Sequence, residues 1–485
     1  MKRGDIVEAV VERIDFPNKG ICRCIDSSDE NNMEETSHQK EAVYIMVKNV
    51  LPGQRIQCRI SKKRSGKLEG RLIEVLEVSS MEDIDGVRNC CIHSKECGGC
   101  LYQGVTYENQ LLIKEQQIKQ LFIPVLTEDG LNHIFHDILP SPKQQAYRNK
   151  MEFSFGDSYF GGPLSLGMHK RGSFYDIITT AQCQIMHSDM QIVLQATLKY
   201  FTEKSLDFYH KMKHTGYLRH LLVRRSDTTG EMMVDLITST QIAAEIEQDI
   251  LEGWKEVLLE QSYEGTLTGI LHTHNDREAD VVENQGMNIL YGRDYIMEEI
   301  LGFQFKISVF SFFQTNSFGA EVLYYTIRQM IQKKYAGGAG GVIYDLYSGT
   351  GTIAQLLSPV ATKVVGIEIV KEAVDAAKEN AKLNQIINCD FIAGDVLEKL
   401  DEIEVKPDFI VLDPPRDGVH PKALKKIIEY GVDSMIYIAC KPTSLVRDME
   451  ILMQKGYVPT DMTCVDMFPF TPNIEVVVMF SRDKI

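Results

Sequence analysis

The feature that most constrains this chain is an alternation of short apolar strands with helices over its last third, opened by a glycine-rich turn. The strand candidates are Gly341–Tyr347, Lys363–Ile369, Cys389–Ala393, Asp408–Leu412, Ser434–Ala439 and Ile474–Phe480, with helical stretches such as Lys371–Leu383 between them. A β-α-β-α order predicts an α/β fold with a doubly wound parallel sheet, whose ligands bind outside the carboxyl ends of the strands. Functional side chains are therefore sought at those ends.

The turn from Gly349 to Ala354 fits G-x-G-x-x-A. Alone it suits NAD, with Glu368 about 20 residues on to hold ribose hydroxyls. Two further acids favour S-adenosylmethionine. Asp345 lies inside the apolar first strand, four residues before Gly349. A carboxylate there can meet a cationic amino-acid end, which a methionine moiety supplies and a dinucleotide lacks. Asp395 follows the third strand, within reach of an adenine amino group. Any one of these acids could be a helix cap or a solvated strand end. Acids at three successive strand ends point instead to a cofactor.

Two more strand ends carry reactive groups. After the fourth strand comes Asp413-Pro414-Pro415-Arg416, a stiff turn because two prolines restrict the backbone. After the fifth comes Cys440, followed by Lys441-Pro442-Thr443. A lone cysteine is usually a small core residue. At a strand's carboxyl end beside a cofactor turn it is placed to be a nucleophile. Arg416 stands where amino-directed methyltransferases carry an aromatic residue, so the chemistry shifts to conjugate addition. A thiolate adding at C6 of uracil makes C5 nucleophilic; a base must then remove the C5 proton before the thiolate leaves. Glu475, closing Phe468-Pro469-Phe470-Thr471-Pro472-Asn473-Ile474, is the candidate base.

Elsewhere, Cys91, Cys97 and Cys100 have metal-ligand spacing around Gly98-Gly99, and Cys183 is the best fourth ligand. Four thiolates suit zinc or an iron–sulfur cluster, and spacing does not decide between them. Cys90 is an extra thiol and His93 a bystander. Residues 1–80 read as short strands separated by turn signals, a small β-barrel, with residues 26–39 an acidic inserted loop. Net charge is −16, against the basic balance expected of a nucleic-acid binder. Yet Lys48, Arg55, Arg59, Lys62, Lys63, Arg64, Lys67 and Arg71 face a single acid, Glu69, over residues 48–72. Such a stripe can grip phosphates. No signal peptide and no membrane-length apolar run is present, which places the chain in the cytoplasm with no membrane partner.

Taken together, these segments resemble the RNA uracil-5-methyltransferase family over nearly the whole chain. Ser311-Phe312-Phe313-Gln314-Thr315-Asn316 is similar to its cofactor-contacting glutamine segment, and Tyr347 stands in its usual aromatic place. Glu368 and Asp413 match cofactor positions, Cys440 the nucleophile, Glu475 the proton acceptor, and Arg447-Asp448 a pair seven residues past the cysteine. Tyr147-Arg148-Asn149-Lys150 and Leu218-Arg219-His220-Leu221 resemble segments of the family's central domain. Lys441 and Asn473 depart from the usual Asn and His.

The resemblance implies three domains: an N-terminal OB-like TRAM RNA-binding barrel (1–80), an α+β central domain with the cysteine motif (81–305), and a Rossmann-like class I methyltransferase domain (306–485). It implies S-adenosylmethionine and a [4Fe-4S] cluster as cofactors, a monomer, and RNA as substrate. The TRAM and cluster branch points to 23S ribosomal RNA, though relatives with similar domains modify transfer RNA. Two rivals remain: an NAD-linked oxidoreductase, which leaves Asp345 and Cys440 without a role, and a non-catalytic RNA assembly factor. A cytosine-5 enzyme is weaker still, since its second cysteine after the fourth strand is missing.

Overall fold

The structure, a computed structural model, describes all residues except 26–41, 65, 84–89, 280, 339, 404 and 483–485. The acidic loop at 26–39 therefore lies outside the described residues. The chain divides into two compact units: 1–90, 100–138 and 468–474 in one, and 91–99, 139–467 and 475–485 in the other.

The smaller unit opens with a closed barrel of five strands, β1 (Ile6–Asp15), β2 (Lys19–Cys24), β3 (Tyr44–Val47), β4 (Arg55–Arg64) and β5 (Lys67–Glu77), in the order β1-β2-β3-β5-β4. Alternate residues point inward, as the period of two requires. Ala9, Val11, Cys22, Ile45, Ile56, Cys58 and Ile60 fill the interior. Cys22 and Cys58 are core residues here. Closure leaves no open edge.

A 20-residue helix, Tyr107–Leu126, follows, capped by the Thr106 side chain accepting from the Asn109 N–H at 3.3 Å. From the sequence alone, the apolar residues Tyr107, Leu111, Ile118, Leu121 and Phe122 predict one helix face, and the buried face is only partly that one. Gln110, Lys114 and Gln117 are buried with Ile113, Ile118 and Phe122. The polar members have partners: Lys114 Nζ donates to the Phe468 carbonyl, and Gln110 bridges the Val105 carbonyl and the Phe470 N–H. Buried polar groups with partners cost little, so tertiary contact overrides apolar periodicity. The short helix Glu128–Ile134 and the strand β6 (Phe135–Leu139) come next in sequence.

The larger unit contains two sheets and a hairpin. The first sheet runs β13-β12-β11-β10-β7-β8-β9, built from β7 (Lys150–Asp157), β8 (Leu164–His169), β9 (Ile177–Thr179), β10 (Leu218–Arg225), β11 (Glu231–Thr238), β12 (Thr266–His274) and β13 (Met287–Gly292). It is antiparallel except for the β11–β12 pair. Helices Ser188–Lys204 and Ala244–Leu259 pack on it. The hairpin pairs β14 (Tyr295–Ile300) with β15 (Phe303–Ser308).

The second sheet carries the glycine turn. Its strands are β16 (Gly340–Leu346), β17 (Ala361–Glu368), β18 (Cys389–Ala393), β19 (Phe409–Leu412), β20 (Ser434–Ala439), β21 (Tyr457–Val465) and β22 (Glu475–Arg482). They lie in the order β18-β17-β16-β19-β20-β22-β21. The first five are parallel, as the alternation predicts; β22 inserts antiparallel between β20 and β21. The chain reverses its winding direction between β16 and β19, the switch point where open α/β sheets bind ligands. β21 is absent from the strands read in the sequence. Pro459 and Asp461 disguise it, and the register shifts between them. Among the described residues no helix is long and apolar enough to cross a membrane.

Candidate active site

Each acid read from the sequence stands at the expected strand end. Asp345 is fully buried near the end of β16. Its Oδ2 accepts from the Ala354 N–H at 3.0 Å, fixing the start of helix Thr352–Leu357. Its Oδ1 is buried with no partner among the described residues. Burial, with Asp413 nearby, holds this carboxyl well above the usual range. Glu368 closes β17 and accepts from the Gly349 N–H at 3.0 Å and the Val370 N–H at 2.9 Å. Asp395 does cap a helix, accepting from Leu397 N–H at 2.7 Å.

The turn between them is conformationally demanding. Tyr347 has φ +68°, uncommon for a residue with a side chain, and Gly349 and Gly351 follow at +54° and +73°. The Tyr347 and Ser348 N–H groups both donate to the Ile367 carbonyl, which anchors the turn to β17. A Cβ on Gly351 would come within 2.5 Å of Phe391 and 2.8 Å of Ala377. A Cβ on Gly349 would meet nothing within 4 Å. Gly351 is thus needed for packing, while Gly349 lies where a ligand can approach the backbone.

Gln314 is held from the other side. Asn149 donates to the Gln314 carbonyl at 2.8 Å and to Ser317 Oγ at 2.9 Å. Arg224, fully buried in β10, donates to the Val309 carbonyl at 2.9 Å and to the Ser311 carbonyl. Sequence reasoning missed Arg224. The signal was two adjacent arginines closing an apolar strand, since a buried charge demands partners. Tyr324 was missed too. It is buried on helix Ser317–Lys334, and its phenol is pushed far up by burial and then by Asp413, Glu475 and Asp345, with Gln314 as a hydrogen-bond partner.

Cys440 and Glu475 are brought together by sheet register. Ala439 of β20 lies opposite Val476 of β22, so Cys440 and Glu475 become neighbours across the strands. Glu475 is buried. Burial, then Asp413, push its carboxyl up to about 8, with Arg416 acting against them. Cys440 is half-buried and its thiol is pushed up to about 11 by desolvation and then Glu475, again opposed by Arg416. Desolvation raises Asp413 to about 7. Three carboxyls, a thiol and a phenol thus crowd one edge with Arg416 as the opposing charge.

The Asp413-to-Gly418 turn is fastened by the pair seven residues past the cysteine. Asp448 is buried and accepts from the Val419 N–H at 2.9 Å and the Tyr437 hydroxyl at 2.7 Å. Arg447 donates to Asp448 and to the Asp417 carbonyl. Ser444 Oγ donates to the Arg416 carbonyl at 2.8 Å.

A family described as tRNA (Uracil-5-)-methyltransferase matches residues 106–483. The chain belongs to this family. It is 43% identical over 482 residues to an uncharacterized RNA methyltransferase of Clostridium tetani, covering 99% of each. It is 42% identical to one of Caldanaerobacter subterraneus, covering 99% of this chain and all of that one. Its fold is also that of the Pyrococcus abyssi tRNA (uracil-54, C5)-methyltransferase solved with S-adenosyl-L-homocysteine. The TM-score there is 0.70 at 20% identity, over 97% of this chain and all of that one. Membership makes the chain an S-adenosylmethionine-dependent RNA methyltransferase.

The cysteine motif is divided between the two units. Cys91, Cys97 and Cys183 fall in the larger unit and Cys100 at the start of a stretch of the smaller one. Burial raises the Cys97 thiol, and the nearby Cys91 adds to this. Cys91 Sγ contacts the Gln182 carbonyl at 3.9 Å, next to Cys183. His93 Nε2 accepts from the Gln182 N–H at 3.2 Å. In the barrel, Lys48, Arg59, Lys63, Arg64, Lys67 and Arg71 are exposed, whereas Arg55 is paired with Glu8 and Glu77.

Proposed function

We propose that this protein methylates C5 of a uridine in RNA through a transient bond from Cys440 to C6. The observation that carries the reading is the closeness of Cys440, just past β20, to Glu475 of β22, at an edge where Asp345 is buried and Asp413 is desolvated.

The site fits S-adenosylmethionine on this chain's own residues. Asp345 has an orphan carboxyl oxygen, the approach to Gly349 is open, and the edge is rich in carboxyls that a cation would satisfy. Gln314, Tyr347, Asp345, Gly349, Glu368, Asp395 and Asp413 are the residues that would hold it. When bound, it supplies an electrophilic methyl group. Cys440, as thiolate, adds to C6, and C5 then becomes nucleophilic. Glu475, as carboxylate, takes the C5 proton after methylation. The C6–sulfur bond breaks, and the thiolate leaves. Arg416 opposes the rise in both pKa values and so favours both reactive ionised forms.

The substrate we infer is 23S ribosomal RNA, with transfer RNA as the alternative. The exposed basic side chains of the barrel support an RNA-gripping TRAM module, since cationic surfaces gain affinity from phosphate contacts. A [4Fe-4S] cluster on Cys91, Cys97, Cys100 and Cys183 completes the reading. It rests on the sequence spacing and on the closeness of Cys91 to Cys97.

The test is covalent trapping. Anaerobically purified protein is mixed with S-adenosylmethionine and a 5-fluorouridine large-subunit RNA. Fluorine blocks proton removal, so a denaturation-resistant adduct is expected with the wild type and none with Cys440→Ala. No adduct with ribosomal or transfer RNA, under conditions where S-adenosylmethionine binds, would overturn the mechanism.

A further inference from the structure

A second cluster of donor groups lies in the first sheet of the larger unit, and the chemistry above does not use it. His272 and His274 are two residues apart on β12 and so project from the same face. Glu247, from the first turn of helix Ala244–Leu259, reaches between them. His274 Nε2 lies 3.2 and 3.1 Å from the two Glu247 oxygens, and His272 Nε2 lies 3.7 Å from one of them. All three donors lie within 4.8 Å of one another.

These separations suit a metal. Zinc sits about 2.0–2.2 Å from His nitrogen and carboxylate oxygen in tetrahedral sites, which puts neighbouring donors about 3.3–3.5 Å apart. The groups are also sheltered: His272 is buried, and the Glu247 and His274 side chains are mostly covered. Both imidazole Nε2 atoms thus lie within 4 Å of the one carboxylate, His272 Nε2 being nearer Thr238 Oγ1. The rings meet edge to face with centroids 4.6 Å apart. The Tyr217 hydroxyl is buried beside Glu247 and Thr238. Thr238 Oγ1 sits 2.8 Å from His272 Nε2 and completes an oxygen-rich rim.

We propose that Glu247, His272 and His274 form a divalent-metal site of the zinc class, joining helix Ala244–Leu259 to β12. Two imidazoles and a carboxylate suit zinc and other late first-row ions, and discriminate against calcium and magnesium. The site is structural, because none of its groups belongs to the reacting edge.

The test is titration of the full-length protein with Co²⁺, read by its visible ligand-field bands, followed by displacement with Zn²⁺. Cysteine-bound cobalt adds intense sulfur charge-transfer absorption, which separates this site from Cys91, Cys97, Cys100 and Cys183. The expected result is one equivalent without that absorption in the wild type, weakened at least tenfold in Glu247→Gln and His274→Ala. Glu247→Gln keeps the side chain's shape, so its fold is checked by circular dichroism and by retained RNA binding. The proposal is overturned if the wild type binds cobalt only with sulfur absorption. Unchanged nitrogen- and oxygen-type binding in both variants overturns it equally.

Discussion

Two groups of buried carboxyls in the larger unit behave in opposite ways. Asp189, fully buried at the start of helix Ser188–Lys204, accepts from Arg225 Nε at 2.8 Å and from the N–H groups of Glu264 and Gly265 at 2.8 and 3.0 Å. Burial alone would raise it, but Arg225 and the two N–H donors outweigh that, and its pKa falls. At the carboxyl edge of the second sheet Asp345 and Glu475 are buried and Asp413 is half-buried, and all three are raised. The difference lies in donors supplied, not in depth. Where the fold completes the hydrogen bonding, an acid holds the structure together. Where the fold leaves an acid short, it is ready for a ligand or a proton.

The contrast can be attacked from either side. The largest expected effect is at Cys440: Cys440→Ala should abolish methyl transfer and adduct formation while changing stability by no more than about 1 kcal/mol, since a half-buried thiol is removed. Single-turnover methylation and thermal unfolding measure both. Glu475→Gln should slow turnover roughly 10²–10⁴-fold, the range of a lost general base, and let the adduct accumulate on unmodified RNA. The same variant should gain stability at high pH. The folded carboxyl titrates near 8 and the unfolded one near 4.5, so the folded state binds more protons between these values. Wild-type stability from this group therefore falls as pH rises through that window. The Tm advantage of Glu475→Gln should be greatest above pH 8 and vanish toward pH 4.5.

On the structural side, Arg225→Ala should cost about 3–5 kcal/mol, because Asp189 would be left as an uncompensated buried charge. Denaturant unfolding gives the number; a loss below about 1 kcal/mol would erase the distinction between the two groups. Asp345→Asn should weaken S-adenosylmethionine binding roughly 10–100-fold, the worth of about 1.5–3 kcal/mol for a hydrogen bond to a charged group. Calorimetry checks it. The smallest effect belongs to the barrel. Lys63→Ala should weaken RNA binding alike for all sequences and reduce the salt slope by about 1.

Much of this edge was legible from the chain because its acids end strands of a parallel sheet. Asp345, Glu368 and Asp395 each sit within a residue or two of a strand's carboxyl end, where spacing along the chain becomes position in space. Glu475 was legible only as a motif. What makes it a neighbour of Cys440 is the antiparallel insertion of β22, and no local pattern encodes which strands will flank another. Arg224 and Tyr324 lay hidden for a related reason. Each acts through partners far away in sequence, such as Val309 for Arg224, and Asp413 and Glu475 for Tyr324. The first sheet was read only as α+β, because its long-range pairings, such as parallel β11 on β12, leave no mark in local periodicity.

The position of β22 has a consequence for biosynthesis. Of the strands in its sheet it is the last to be made, yet it lies between two that precede it. A nascent chain therefore carries Cys440 and the cofactor turn before Glu475 exists. On the proposed mechanism such a chain lacks the base that takes the C5 proton, so a methylated adduct on Cys440 would have no route to release. β20 and β21 are not joined in one sheet until β22 is threaded between them. On that mechanism, assembly of the fold and release of the methylated product wait on the same event.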